Sequence, residues 1–318
     1  MLFISSLSDQ NKRNKLNYKA NGKLLLTGEY AVLDGAKALA LPTKLGQTMA
    51  IKKTRGSDLV WESLDHEGNS WFKSTISLLD FSPISTTDEA VSERLRKLLK
   101  NAVRLNSEFL SKWNGFKVET QLGFPRDWGL GSSSTLTYLI AEWADVHPLM
   151  LAMKSSNGSG YDVACAGAEG PIVFQSDDDA INYTPIDFKP AFHNKLYFVH
   201  LGLKQSTDDQ IKYYLKQVKN KKELSLQISE ITEKVMETTS FESFEKLLCQ
   251  HEDTISSALN LPKAFTEKFS DYWGCVKSLG AWGGDFIIAT SSKSKEETEE
   301  YFESKGLKTV IPYADMII

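Results

Sequence analysis

Two hydrophobic periods share the first half of this chain. Residues 48–53 set Met49 and Ile51 on one face, a period of two, whereas Val91, Leu95, Leu98, Leu99, Ala102 and Leu105 recur every third or fourth position between Thr87 and Leu110. The first spacing is that of a strand and the second that of a helix, so this half must build both. Leu59 to Trp61 and Ser70 to Ile76 flank the turn residues His66 to Asn69 and predict a hairpin. Ala20 to Leu33 reads as strand, tight turn and strand; Phe116, Val118 and Thr120 alternate as a further strand. Beyond Pro125 a second helix carries Leu136, Leu139, Ile140 and Trp143.

The pattern breaks between Ser176 and Lys195, where Asp177 to Asp179, Pro185 and Pro190 intervene. With 318 residues, two domains are expected, over 1–185 and 186–318. The second opens with the apolar strand Leu196 to His200. Two or three helices over Asp208 to Phe269 follow, then a glycine-rich turn at Gly280 to Gly284, the strand Phe286 to Ala289, a charged helix over Lys293 to Lys305 and a short strand near Thr309 to Pro312. Both halves read as α+β.

Lys+Arg is 37 against Asp+Glu 41, a net charge of −4, which removes the broad electrostatic case for nucleic acid and leaves a small ligand as the expected partner. No run reaches the roughly 20 apolar residues of a membrane span, and no secretory core follows Met1. A soluble, cytoplasmic protein is expected. Cys165, Cys249 and Cys275 are too few and scattered for a disulfide framework or a cysteine zinc site, and the five histidines show no paired metal spacing.

Chemistry concentrates in a few short stretches. Pro125 to Ser134 (PRDWGLGSSS) places glycines and hydroxyls between a strand and a helix, where backbone N–H groups and a helix N-terminus can bind phosphate. It is not a Walker A loop, since no Gly-Lys-Ser/Thr closes it. Asn21 to Leu33 (NGKLLLTGEYAVL) precedes it, and Lys277 to Phe286 (KSLGAWGGDF) follows near the C-terminus. Together, in this order, the three resemble the signature motifs of the GHMP kinases, the family of galactokinase, homoserine kinase, mevalonate kinase and phosphomevalonate kinase. The resemblance runs from about Ala20 to Ala289. Asn157 to Ala164 (NGSGYDVA) resembles the segment in which the mevalonate-type members keep a catalytic aspartate.

The resemblance implies a two-domain GHMP kinase fold, a ribosomal-protein-S5-like N-terminal domain and a ferredoxin-like C-terminal domain, with the site in the cleft between them. It implies transfer of the ATP γ-phosphoryl group, with Asp162 as base and Lys23 lowering the pKa of the attacking alcohol. Gly129, Gly131, Ser132, Ser133 and Ser134 would hold the nucleotide, and the Ser133 hydroxyl would meet its Mg²⁺. Glu29, Tyr30, Lys204, Gly280, Gly283 and Gly284 would line the acceptor. Tyr30, Asp285 and the Gly-Tyr-Asp-Val-Ala string look closer to phosphomevalonate kinases; mevalonate kinase is the alternative.

Two departures stand out. Mevalonate kinases carry a metal-binding glutamate where this chain has Leu151, so either ATP oxygens, Ser133 and water hold Mg²⁺, or Glu142 or Asp145 substitutes. Trp282 replaces a small residue of the third motif. A nucleotide-binding, catalytically silent relative with a regulatory role is the rival reading, and a monomer or homodimer is expected.

Overall fold

The computed structural model describes residues 15–318 except 112–113, 157, 177–180, 204–206, 281 and 283–284. It divides into two compact units that interleave along the sequence instead of following one cut near residue 185. Unit 1 holds the chain up to Asn21, Leu45–Arg126 and Gly131–Gly167, and unit 2 holds Gly22–Lys44, Asp127–Leu130 and Ala168–Ile318.

Strands β1 (Lys15–Thr27) and β2 (Ala38–Thr54) pass from one unit into the other. In unit 1, β2 is followed by β3 (Asp58–Leu64), β4 (Ser70–Ser77), β5 (Pro83–Thr86), helix α1 (Glu89–Leu105) and β6 (Gly115–Leu122). The strand order is β5-β4-β3-β6-β2, with β3 and β6 parallel and the other neighbours antiparallel. Asp65 closes the predicted hairpin, its Oδ1 accepting the N–H groups of Glu67 (3.0 Å) and Asn69 (2.8 Å). Asp88 caps α1 by accepting the Val91 N–H at 3.0 Å. The helix ends at Asn106, short of the expected Leu110.

Three helices complete unit 1: α2 (Ser132–Ala144), α3 (Pro148–Ser155) and α4 (Tyr161–Ala166). Leu95, Leu98 and Leu99 of α1 and Leu139 and Ile140 of α2 join Met49, Ile51, Trp61, Phe72 and Val118 in one buried cluster. Each such side chain contributes on the order of 1.5–3 kcal/mol by leaving water.

Unit 2 carries β7 (Ile172–Ser176) and β8 (Ile181–Pro185), which extend from the first residues of β2, and a separate four-stranded sheet. That sheet is made of β9 (Leu196–His200), β10 (Val276–Leu279), β11 (Phe286–Thr290) and β12 (Val310–Pro312) in the order β10-β11-β9-β12, antiparallel throughout. Helices α5 (Thr207–Gln217), α6 (Lys221–Glu237), α7 (Phe241–Leu259) and α8 (Ala264–Lys268) lie between β9 and β10, and α9 (Lys295–Ser304) lies between β11 and β12. This is the ferredoxin-like order. A last short helix, α10, spans Tyr313–Met316. The strand expected after Gly28 is instead a 3₁₀ turn over Ala31–Asp34. Its apolar residues are buried locally and pair with no strand. Among the described residues no helix is long and apolar enough to cross a membrane.

Candidate functional site

Within unit 2 the three motifs meet around Lys23 and Gly129. Lys23 sits in β1; its N–H donates to the Leu130 carbonyl at 3.0 Å and its Nζ to the Gly129 carbonyl at 3.1 Å. Gly129 has φ +62°, and a Cβ there would fall 2.1 Å from Asp285 Oδ2, so only glycine fits while Asp285 holds its place. Asp285 is fixed by its own backbone, donating to the Leu203 carbonyl and accepting from the Leu201 N–H, both at 2.8 Å.

Glu29, expected at the acceptor, is 2% exposed. Lys277 Nζ lies 2.5 Å from Oε1, and His251 Nε2 lies 3.2 Å from Oε2. The Gly28 N–H also donates to His251 Nε2, at 3.0 Å, which marks that nitrogen as unprotonated. The one lone pair of that nitrogen is thereby used, and buried Glu29 Oε2 has no hydrogen-bond partner there. Burial raises Glu29 to about 7 against the opposing pull of Lys277. Burial, and then the charge of Lys277, push His251 well below the ordinary histidine value. Next in the same helix, buried Glu252 accepts from the Ser278 N–H (3.1 Å) and hydroxyl (2.9 Å), and burial raises it too.

Tyr30 is likewise buried. Its phenol oxygen accepts the Trp282 N–H at 2.7 Å, and its ring stacks on Tyr214 at 5.5 Å. Its backbone has a positive φ of 60° with ψ −49°, uncommon for an aromatic residue. Trp282, conspicuous in the sequence, is buried and donates its indole N–H to the Pro262 carbonyl at 3.0 Å. Glu29 and Tyr30 therefore tie the first motif to the third. Lys277, His251 and Glu252 were not singled out as functional. Only Lys277 carried a signal, at the head of the third motif.

In unit 1 the serines open α2. Gly131 is the cap residue at φ 89°, a backbone region glycine enters freely, and it offers no side chain to the first N–H groups of the helix. No acidic residue occupies the first turn. Ser132 and Ser133 are exposed, while Ser134 is buried and its hydroxyl donates back to the Gly131 carbonyl at 2.9 Å. This start of α2 suits a phosphate.

Asp162 lies in the first turn of α4, half-buried, its Oδ1 accepting the Val163 N–H at 3.0 Å. Leu151 is fully buried in the unit 1 core, so that position is structural. Glu142 and Asp145 lie at the far end of α2, about 14 Å or more along the axis from Ser133, and cannot share an ion with it. Both instead raise the Tyr18 hydroxyl, after burial. Among the described residues no group of three or more His, Cys, Asp and Glu side chains is placed to hold a metal ion. The residues present thus fit a metal carried on phosphate oxygens, with one hydroxyl from the protein. Gly280 follows β10 at φ 67° with open space around it, whereas Lys204, Gly283 and Gly284 lie outside the described residues.

No protein-family model and no curated protein sequence matches the chain. Solved structures do. Mevalonate kinase of Methanococcus jannaschii superposes with a TM-score of 0.67 at 17% identity, covering 93% of this chain and 96% of that one. Phosphomevalonate kinase of Streptococcus pneumoniae, in complex with phosphomevalonate and AMPPNP, gives 0.67 at 17% identity, covering 92% and 97%. Galactokinase of Lactococcus lactis, complexed with galactose, gives 0.65 at 12% identity, covering 95% and 93%. The chain has the two-domain α+β fold of the GHMP kinases. Enzymes of the mevalonate branch stand among the structures that share it.

Proposed function

We propose that this protein transfers the γ-phosphoryl group of ATP to a hydroxyl of a small anionic acceptor, with phosphomevalonate the preferred acceptor and mevalonate the alternative. The observation that carries this reading is the meeting of the three motifs at Lys23, Gly129 and Asp285. In it, the N–H groups that open α2 bind ATP phosphates, with Gly129, Gly131, Ser132, Ser133 and Ser134 as the binding loop. Asp162 accepts the proton of the acceptor hydroxyl as its oxygen attacks phosphorus and ADP leaves. Lys23, anchored on the Gly129 carbonyl, favours the alkoxide by its charge. Mg²⁺ bound with ATP would neutralise phosphate charge, and Ser133 Oγ is the protein atom that would hold it. Glu29 and Tyr30 act one step removed, fixing the turn that follows the strand carrying Lys23. Lys204, Gly280, Gly283 and Gly284 remain the proposed acceptor contacts.

Leu151, fully buried at the place where mevalonate kinases carry a metal-binding glutamate, favours the second reading, a nucleotide-binding relative without turnover. An ADP-release assay with mevalonate, phosphomevalonate, galactose and homoserine separates the two. The first reading expects the highest kcat/KM on phosphomevalonate, and a much higher value on mevalonate reverses the order of acceptors. ATP binding without ADP release on any acceptor establishes the second reading.

A further inference from the structure

Cys249 and Cys275 are 26 residues apart in the chain, yet their sulfurs lie 2.7 Å from each other. Both are free thiols; Cys249 is exposed on α7 and Cys275 is buried just before β10. The backbone around Cys275 is fixed, its N–H donating to Thr290 Oγ1 at 2.8 Å and its carbonyl accepting the Thr290 N–H at 2.9 Å. Less than 1 Å separates the present spacing from an S–S bond of about 2.05 Å.

We propose that Cys249 and Cys275 form a reversible thiol–disulfide site, oxidised by peroxides and reduced by small thiols, that ties α7 to β10. Cys249 is the attacking thiol because it alone of the two reaches solvent. The hydrogen bond with Cys275 holds its thiol below the ordinary cysteine value, with Lys263 assisting and Asp253 and Glu245 opposing. The Cys249 thiol releases its proton to solvent, the thiolate attacks an oxygen of hydrogen peroxide, the O–O bond breaks, and the departing hydroxide takes up a proton from solvent to leave as water, with a sulfenic acid on Cys249. The Cys275 sulfur then attacks the sulfenic sulfur; its proton leaves with the displaced hydroxide as a second water. Two thiols lose two electrons, and one peroxide gains them.

The site adjoins the contacts that carry the first motif. His251, two residues beyond Cys249, accepts the Gly28 N–H, and Lys277, two residues beyond Cys275, pairs with Glu29. A bond between the sulfurs thus fastens together the two elements that grip the Gly28–Glu29 turn. Cys165 is buried in unit 1 and serves as an internal control.

The full chain is treated with graded hydrogen peroxide, alkylated under denaturing conditions and read by intact mass and peptide mapping. The expected result is joint loss of two alkylatable thiols, leaving Cys165, with a 249–275 cross-linked peptide and full recovery in dithiothreitol. Cys275→Ser should convert the outcome to a sulfenic acid at Cys249 trapped by dimedone, and Cys249→Ser should leave Cys275 reduced. Circular dichroism of both reduced variants confirms that they are folded. Sulfenic or sulfinic acid at Cys249 in the wild type, with Cys275 still alkylatable, overturns the proposal.

Discussion

Glu29 and His251 are packed at 3.2 Å with opposite demands on pH. Glu29 titrates in the fold near 7, above its ordinary 4.5, so its contribution to stability is complete below about pH 4.5 and is lost as pH rises toward 7. His251 titrates well below its ordinary 6.5, so its contribution is present above that pH and is lost as pH falls. Between pH 4.5 and 6.5 the two slopes oppose, each of at most about 1.4 kcal/mol per pH unit. His251→Gln should therefore make the unfolding free energy fall more steeply with rising pH than in wild type, by up to about that amount per unit. Glu29→Gln should change the slope the other way. Glu252, raised like Glu29, is common to all three proteins and cancels in the comparison. Urea titrations at three pH values in this window measure both differences, and slopes displaced in the same direction would refute the opposed shifts of Glu29 and His251. Asp162 makes a separate claim, on turnover. Asp162→Asn should lower kcat by about 10²–10⁴-fold with ATP affinity little changed, the span of a positioned general base. Wild-type kcat in that variant would leave the residue a turn former.

At the scale of elements, whatever announces itself by local period was legible. The burial of Phe116, Val118 and Thr120, all at 8% exposure or less, and the fully buried run Leu196–His200 follow directly from the apolar pattern. The short elements escaped. Helix α4 has six residues and follows a glycine-rich stretch, too short to show a helical period in the sequence. The 3₁₀ turn after Gly28 holds only four residues, too few to show a period. Of the candidate site, the glycine-capped start of α2 was readable because glycine followed by serines ahead of an apolar helix has a physical meaning on its own. The Lys277–Glu29–His251 contacts were not, since they join positions more than 200 residues apart. Gly129 tests how tightly the loop before α2 is held. Gly129→Ala must displace the Asp285 carboxylate and keep a left-handed alanine, at a cost of about 1–3 kcal/mol. Thermal melts should show that loss together with a smaller stabilisation by ATP. Gly170→Ala, where nothing lies within 4 Å of the added methyl, is the control expected to change neither. Equal behaviour of the two variants removes the packing argument.

The α+β character of both halves was legible at the scale of the whole molecule, but the interleaving of the units was not: residues 22–44 and 127–130 join the later part of the chain through pairings with no local signature. Charge also acts at this scale. A protein of net charge −4 repels an anionic acceptor at long range, so attraction must come from groups close to it. Phosphomevalonate carries a phosphate besides its carboxylate, and mevalonate only the carboxylate. Salt screens exposed charges over a Debye length of about 10 Å at 0.1 M and less as salt rises. If short-range cations hold the extra phosphate, raising ionic strength should increase KM for phosphomevalonate several-fold while KM for mevalonate moves little. If only the overall field mattered, the same salt would relieve repulsion and lower KM for the more charged acceptor. Lys204 is the residue proposed to meet that phosphate, and Lys204→Met keeps most of its apolar stem while removing the charge. The variant should start from a raised KM for phosphomevalonate, lose most of the salt dependence, and retain kcat on mevalonate. A salt response identical to that of wild type would place the phosphate elsewhere, against cations other than Lys204.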